Sequence, residues 1–213
     1  LAKAGALGPG GWPLRLPPEL TGISTLILTD LPAEAVGMAG RYLLTYSGKG
    51  TLKVEGRAAI VEAAAGSISF DYTPGEGGVL ITLAAIDPAD PIRDLTVVRA
   101  DRATALAAGE IFNPDWLARL RGVKGLRFMD WMQTNDSPLA HDADRPLAED
   151  YTYARIGVPA EVMVALANQL KADAWFTLPH LSDDNLVRFY AETAAEMLKP
   201  GRKAWVEFSN EVW

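Results

Sequence analysis

The sequence predicts two fold classes in series, all-β and then α/β. An antiparallel β-sandwich covers residues 11–100, and part of a TIM-type (β/α) barrel covers 101–213. Three observations predict this. Short apolar–polar alternations between glycine and proline turns fill the first half. After Arg99, helical periodicity alternates with strand-like segments. The residues following those later strands are polar and aromatic, with no glycine-rich phosphate loop among them.

Gly11-Trp-Pro-Leu-Arg-Leu-Pro-Pro18 is too proline-constrained for a helix. Ser24–Thr29 reads as a buried strand and Arg41–Tyr46 as the next. Ser47-Gly-Lys-Gly50 then leads to Thr51–Glu55, where Leu52 and Val54 alternate with polar neighbours, the pattern of a hairpin. Residues 58–65 suit either a strand or a short helix. Ser67–Tyr72 puts Ile68, Phe70 and Tyr72 on one face. Val79–Leu83 and Ile92–Val98 complete a set whose spacing suits an antiparallel sandwich. Tyr42, Tyr46, Phe70 and Tyr72 are rings able to stack on sugars, but the alternation already assigns them to the core.

In the second half, Asn113-Pro-Asp combines an N-cap, a proline at the first helical position and an acidic first turn. Gly125–Trp131 reads as a strand, followed by a long polar stretch, 133–156, of the length that functional loops have. Pro159 opens a helix with Val162, Leu166 and Leu170 on one stripe. Asp173–Pro179 is the next strand. Ser182-Asp-Asp-Asn caps a third helix, which Pro200-Gly201 terminates before the strand 204–208. Strands separated by helices imply a parallel sheet with right-handed crossovers, either doubly wound and open or part of a barrel. The pairs Asp130-Trp131, Pro179-His180 and Asn210-Glu211 at the strand ends favour the barrel, whose sites are built there. The short apolar strand with nothing after it to cover it suggests a cut chain.

The net charge of −7 argues against nucleic acid or an anionic membrane surface as the main partner. There is no cysteine, which removes disulfides, thiolate catalysis and Cys-ligated zinc. The only histidines are His141 and His180, so a His-rich metal site is not expected, nor is a cofactor. No apolar run approaches the roughly 20 residues that span a bilayer.

Val206-Glu207-Phe208-Ser209-Asn210-Glu211 resembles the fourth-strand signature of the clan A glycoside hydrolases, a superfamily of (β/α) barrel glycosidases. In that family the Asn-Glu pair ends the fourth strand and the Glu is the acid/base. Several cellulase-type members carry a further Glu four residues earlier, as Glu207 stands here. Arg127 matches an Arg often found on the second strand, and His180 a His of the third. The resemblance therefore makes these segments the second, third and fourth barrel strands. Residues 112–213 are also similar to bacterial proteins with a Leu-Arg-Phe-Met-Asp-Trp stretch, which end this region in Ser-Asn-Glu-Val-Trp. Val212 departs from the Pro that many members have after the acid/base.

What the resemblance implies is hydrolysis of an oligo- or polysaccharide by a retaining mechanism, with two carboxyl groups about 5–5.5 Å apart. Glu211 would be the proton donor, Asn210 would hydrogen-bond a sugar hydroxyl, and Arg127 would orient the nucleophile. The family's nucleophile lies on a seventh strand that this chain does not contain, so the segment alone is expected to be inactive. His180, Asp130, Trp131 and Trp213 would contact substrate, whereas Trp175, inside a strand, is expected in the core. Arg127 also suits a buried ion pair with Glu207. Asn135 and Asp136 either recognise hydroxyls or solubilise a loop. A glycosidase reading favours an extracellular or periplasmic location. The alternative is a non-catalytic carbohydrate-binding protein in which the sandwich binds; a nucleotide-binding domain lacks its phosphate loop.

Overall fold

The computed structural model describes Leu1 and residues 5–210. The chain divides into two compact units, Leu1–Ile111 and Phe112–Trp213. In the first, alternating apolar residues form β1 (Ile23–Ile27), β2 (Gly40–Ser47), β3 (Gly50–Gly56), β4 (Ala58–Ala64), β5 (Ser67–Tyr72), β6 (Val79–Ile86) and β7 (Arg93–Arg99). Among the described residues they make two antiparallel sheets, ordered β1-β6-β3 and β4-β5-β2-β7. A short helix, α1 (Ala103–Ala107), follows and stays with this unit.

One apolar cluster joins the two sheets. Tyr42 and Leu44 of β2 with Ile68, Phe70 and Tyr72 of β5 meet Val54 of β3 and Val79 and Ile81 of β6. The β2–β5 register places Tyr42 opposite Phe70, and their rings stack at 5.6 Å. Both tyrosine hydroxyls are satisfied on burial: Tyr42 donates to the Met38 carbonyl at 2.8 Å and Tyr72 to the Leu28 carbonyl at 3.0 Å. These rings are closed to a ligand.

The hairpin expected at Ser47–Gly50 does not form, since β2 pairs with β5 and β7 while β3 pairs with β6. The turn crosses between sheets and is stitched to the β6–β7 loop: the Lys49 amide donates to Asp90, and the Asp87 amide donates to Lys49. Gly48, at φ +87°, passes so close to this loop that an added Cβ would lie 2.1 Å from the Pro91 carbonyl oxygen.

In the second unit, Asn113 caps α2 (Pro114–Arg119) by accepting from the Asp115 amide at 2.9 Å. There follow β8 (Gly125–Arg127), α3 (Ala160–Leu170), β9 (Asp173–Leu178), α4 (Asp184–Met197) and β10 (Ala204–Phe208). The sheet is parallel, ordered β10-β9-β8, with Arg127, Trp175 and Trp205 level with one another. Ala174, Phe176 and Leu178 of β9 pack with Met163 and Val164 of α3 and Leu186 and Tyr190 of α4, so both helices cover one face. Asp173 ties the strand starts together, accepting from the Lys203 amide at 2.8 Å and the Trp205 indole at 3.0 Å.

The expected fold class, a sandwich joined to part of a TIM-type barrel, is overturned. The described residues form two antiparallel sheets and one small parallel sheet with few helices. The antiparallel layers are unequal: β4 is exposed along almost its whole length, so one sheet does not cover the other. Barrel closure requires every strand to be paired on both sides. Here β8 has three residues, β10 has β9 as its one partner among the described residues, and Trp205, Val206 and Phe208 are at least half exposed.

The long stretch 133–156 is irregular apart from a 3-10 turn at Asp142–Asp144. It is clasped to the start of α4. Asp183, the N-cap, accepts from the Leu186 amide at 2.9 Å and holds the His141 ring at 2.7 Å, while its own amide donates to Ala140. The pair raises His141 above its ordinary 6.5, chiefly through the Asp183 hydrogen bond, with Asp144 and Asp142 adding to it. The same bond lowers Asp183 below 3.8.

Two outcomes follow. Gly48→Ala combines left-handed strain with overlap at Pro91 and should destabilise the first unit by about 2–4 kcal/mol. Gly109→Ala, at φ +87° in open space, should cost only about 1 kcal/mol. Native-state hydrogen exchange of the β2 amides measures both, and equal losses would refute the close-approach account. For the clasp, the raised His141 value means stabilisation that is complete below pH 6.5 and is lost as pH rises through the folded value. The lowered Asp183 value means stabilisation present above pH 3.8 and lost as pH falls through the folded value. Protection of the Leu186 amide should therefore decline on both sides of this window, and a His141→Ala variant should lose only the alkaline decline.

Candidate functional site

The carboxyl ends of parallel strands are where α/β folds gather polar groups, because the loops there converge. Arg127 ends β8 and reaches across β9 to Glu207 on β10. Its Nε and one terminal nitrogen donate to the two Glu207 carboxylate oxygens, each at 2.9 Å. The same terminal nitrogen donates to Asn210 Oδ1 at 2.6 Å. Asn210 Nδ2 in turn donates to Asn135 Oδ1 at 3.0 Å. One chain of hydrogen bonds thus links β8, β10 and the segments that follow each of them.

The polarity of this chain is forced. A guanidinium only donates, so the oxygen of Asn210 must face Arg127. Its amide nitrogen then faces Asn135, which must present its own oxygen. Glu207 is held below its ordinary carboxylate value, first by the hydrogen bonds from Arg127 and also by the charge of that guanidinium. Arg127 is raised by the same pairing, with Asp130 a smaller contribution of the same sign. Glu207 is therefore a charged anchor and not a proton donor near neutral pH. The pair is partly open to solvent, side chains 34% and 29% exposed, so the expected ion pair exists but is not buried.

The other residues singled out from the sequence fall in different places. Asp130 is exposed in the turn after β8, close enough to act electrostatically on Arg127. His180 lies exposed on the turn after β9, outside the Arg127–Asn210 network. Trp131 is not a free stacking platform: it packs on Phe128 at 5.6 Å and on Trp116 at 6.2 Å, against the helix-side core. Trp175, expected in the core, is instead 40% exposed, with the Arg127 guanidinium 5.6 Å from its ring. Its strand alternates, and the helices bury Ala174 and Phe176 instead. Glu211 and Trp213 lie outside the described residues. Asn135 had no sequence signal beyond its place in a long polar stretch; its partner is 75 residues away.

Among the described residues no three His, Asp or Glu side chains converge to hold a metal ion. No helix among them is long and apolar enough to cross a membrane. Comparison with protein-family models, curated proteins and solved structures finds no match to this chain.

The carboxylate tests the geometry directly. The Glu207 side chain should titrate below 4.5 in a carbon-detected NMR experiment. Arg127→Met should move the midpoint upward. With the value depressed, the pairing favours the fold above pH 4.5 and is lost as pH falls through the folded value. An unchanged midpoint in Arg127→Met would contradict the bidentate pair.

Proposed function

We propose that this chain takes part in the hydrolysis of a glycosidic bond in an oligo- or polysaccharide, with Glu211 as acid/base and Asn210 binding a sugar hydroxyl beside the scissile bond. The observation that carries the reading is the Glu207–Arg127–Asn210–Asn135 chain at the carboxyl ends of the parallel strands. It holds the planar amide of Asn210, the residue that precedes Glu211 in the sequence. Sugars offer dense hydroxyls and apolar ring faces. Fixed amide and guanidinium groups serve the first, and the partly exposed Trp175 and Trp205 serve the second. The assignment of the acid/base role to Glu211 rests on the resemblance of Ser209-Asn210-Glu211 to the glycosidase signature.

A second reading, saccharide binding without turnover, is favoured by one observation. Glu207, the carboxylate within the network, has both oxygens committed to Arg127. Hydrolysis then needs Glu211 and a further carboxylate outside this network. Binding through the tyrosine and phenylalanine rings of the antiparallel sheets is disfavoured, because Tyr42, Phe70 and Tyr72 are buried.

Glu211→Gln in the protein as encoded separates the two. With aryl glycosides and soluble polysaccharides as substrates, kcat should fall by about 100-fold or more, as loss of a general acid/base does. Binding measured by calorimetry should persist. Unchanged turnover removes Glu211 from the chemistry; binding with no turnover in either form leaves the binding reading.

A further inference from the structure

We propose that Asn135 is a positioning residue that, with Arg127, clamps the Asn210 side chain in one orientation. The role rests on the saccharide reading above for its purpose, but not for its geometry. An asparagine amide is nearly symmetric in shape, and an exposed one flips between two orientations of opposite hydrogen-bonding sense. Here each end meets a group of fixed sense. Arg127, itself held by both Glu207 oxygens, fixes the oxygen end at 2.6 Å. Asn135 accepts from the nitrogen end at 3.0 Å. Flipping Asn210 would place its NH2 against the guanidinium, donor against donor.

Among the described residues, Asn210 thereby keeps one N–H and one lone pair uncommitted, in fixed directions. Asn135 comes from the loop after β8 and is itself exposed. Its oxygen is committed to Asn210, so its own NH2 keeps two further donors. A ligand hydroxyl arriving there meets an Asn210 N–H whose position is set before it binds, so the rotamer entropy of that side chain is not lost on binding. Arg127 alone does not achieve this, because one contact leaves the amide free to swing about it.

The experiment compares Asn135→Ala with Asn135→Asp, whose carboxylate keeps the acceptor. The readout is the Asn210 side-chain amide in nitrogen-15 NMR, followed by calorimetry with cello-, xylo- and chito-oligosaccharides. In the wild type the two Asn210 amide hydrogens should be distinct and one protected from exchange. Asn135→Ala should erase that protection and weaken any saccharide bound by about 5- to 10-fold, the share of one hydrogen bond. Asn135→Asp should restore the protection. An Asn135→Ala amide indistinguishable from wild type overturns the clamp, whatever binds. If the amide responds as described while none of these saccharides binds the wild type, the clamp stands and the saccharide reading is what fails.

Discussion

The second unit turns on a property of arginine that no other side chain combines with its reach: it donates in a plane and never accepts. Arg127 crosses one strand to pair with Glu207, and because both carboxylate oxygens are engaged the guanidinium has a single orientation. Everything outward from it inherits that orientation. Asn210 turns its oxygen inward, and Asn135 turns its oxygen toward Asn210. The site is an ordered chain of donors and acceptors that begins at a charged pair and ends at an exposed loop.

The two faces of the parallel sheet divide the labour. Alternation along β9 sends Ala174, Phe176 and Leu178 to the helices, where α3 and α4 exclude water. The same alternation sends Trp175 to the opposite face, alongside Arg127 and Trp205. A helix-covered face supplies the stability; the other is free to carry polar and aromatic chemistry. Asp173 reinforces the arrangement from the amino end, fixing β10 against β9 so that Glu207 arrives within reach of Arg127. Thr134, buried and bonded to the Thr177 carbonyl at 2.9 Å, anchors the loop that delivers Asn135 next door.

Much of the secondary structure was legible in the residues. Alternation marks Ser67–Tyr72 as a strand, and β5 has those bounds. The Asn113-Pro-Asp and Ser182-Asp-Asp signals mark helix starts that side-chain caps do occupy. Local pattern failed where the deciding partner was remote. Ser47-Gly-Lys-Gly50 has hairpin composition, yet the turn serves a crossover, because β3 gains more from pairing with β6 and from burying Val54 in the shared cluster. The barrel expectation failed for a related reason: three strand–helix repeats look alike whether the sheet closes or stays open. For the site, the Arg127–Glu207 pairing was legible from two opposite charges on strands of one parallel sheet, although β9 lies between them. The fate of the two tryptophans was not, since burial of an indole depends on which face the helices choose.

By itself the sequence determined what short-range physics determines. It set where strands and helices run, which helix starts are capped, that the strands of the second half run parallel, and that cysteine chemistry is excluded. Tertiary structure alone decided which strands share a sheet, that the parallel sheet is open among the described residues, and that Asn135 meets Asn210 from 75 residues away. The reason is the range of the forces. Alternation, caps and turn residues act over a few positions, whereas sheet order and side-chain networks are settled by burial and hydrogen-bond satisfaction summed over segments that meet only when the chain is folded.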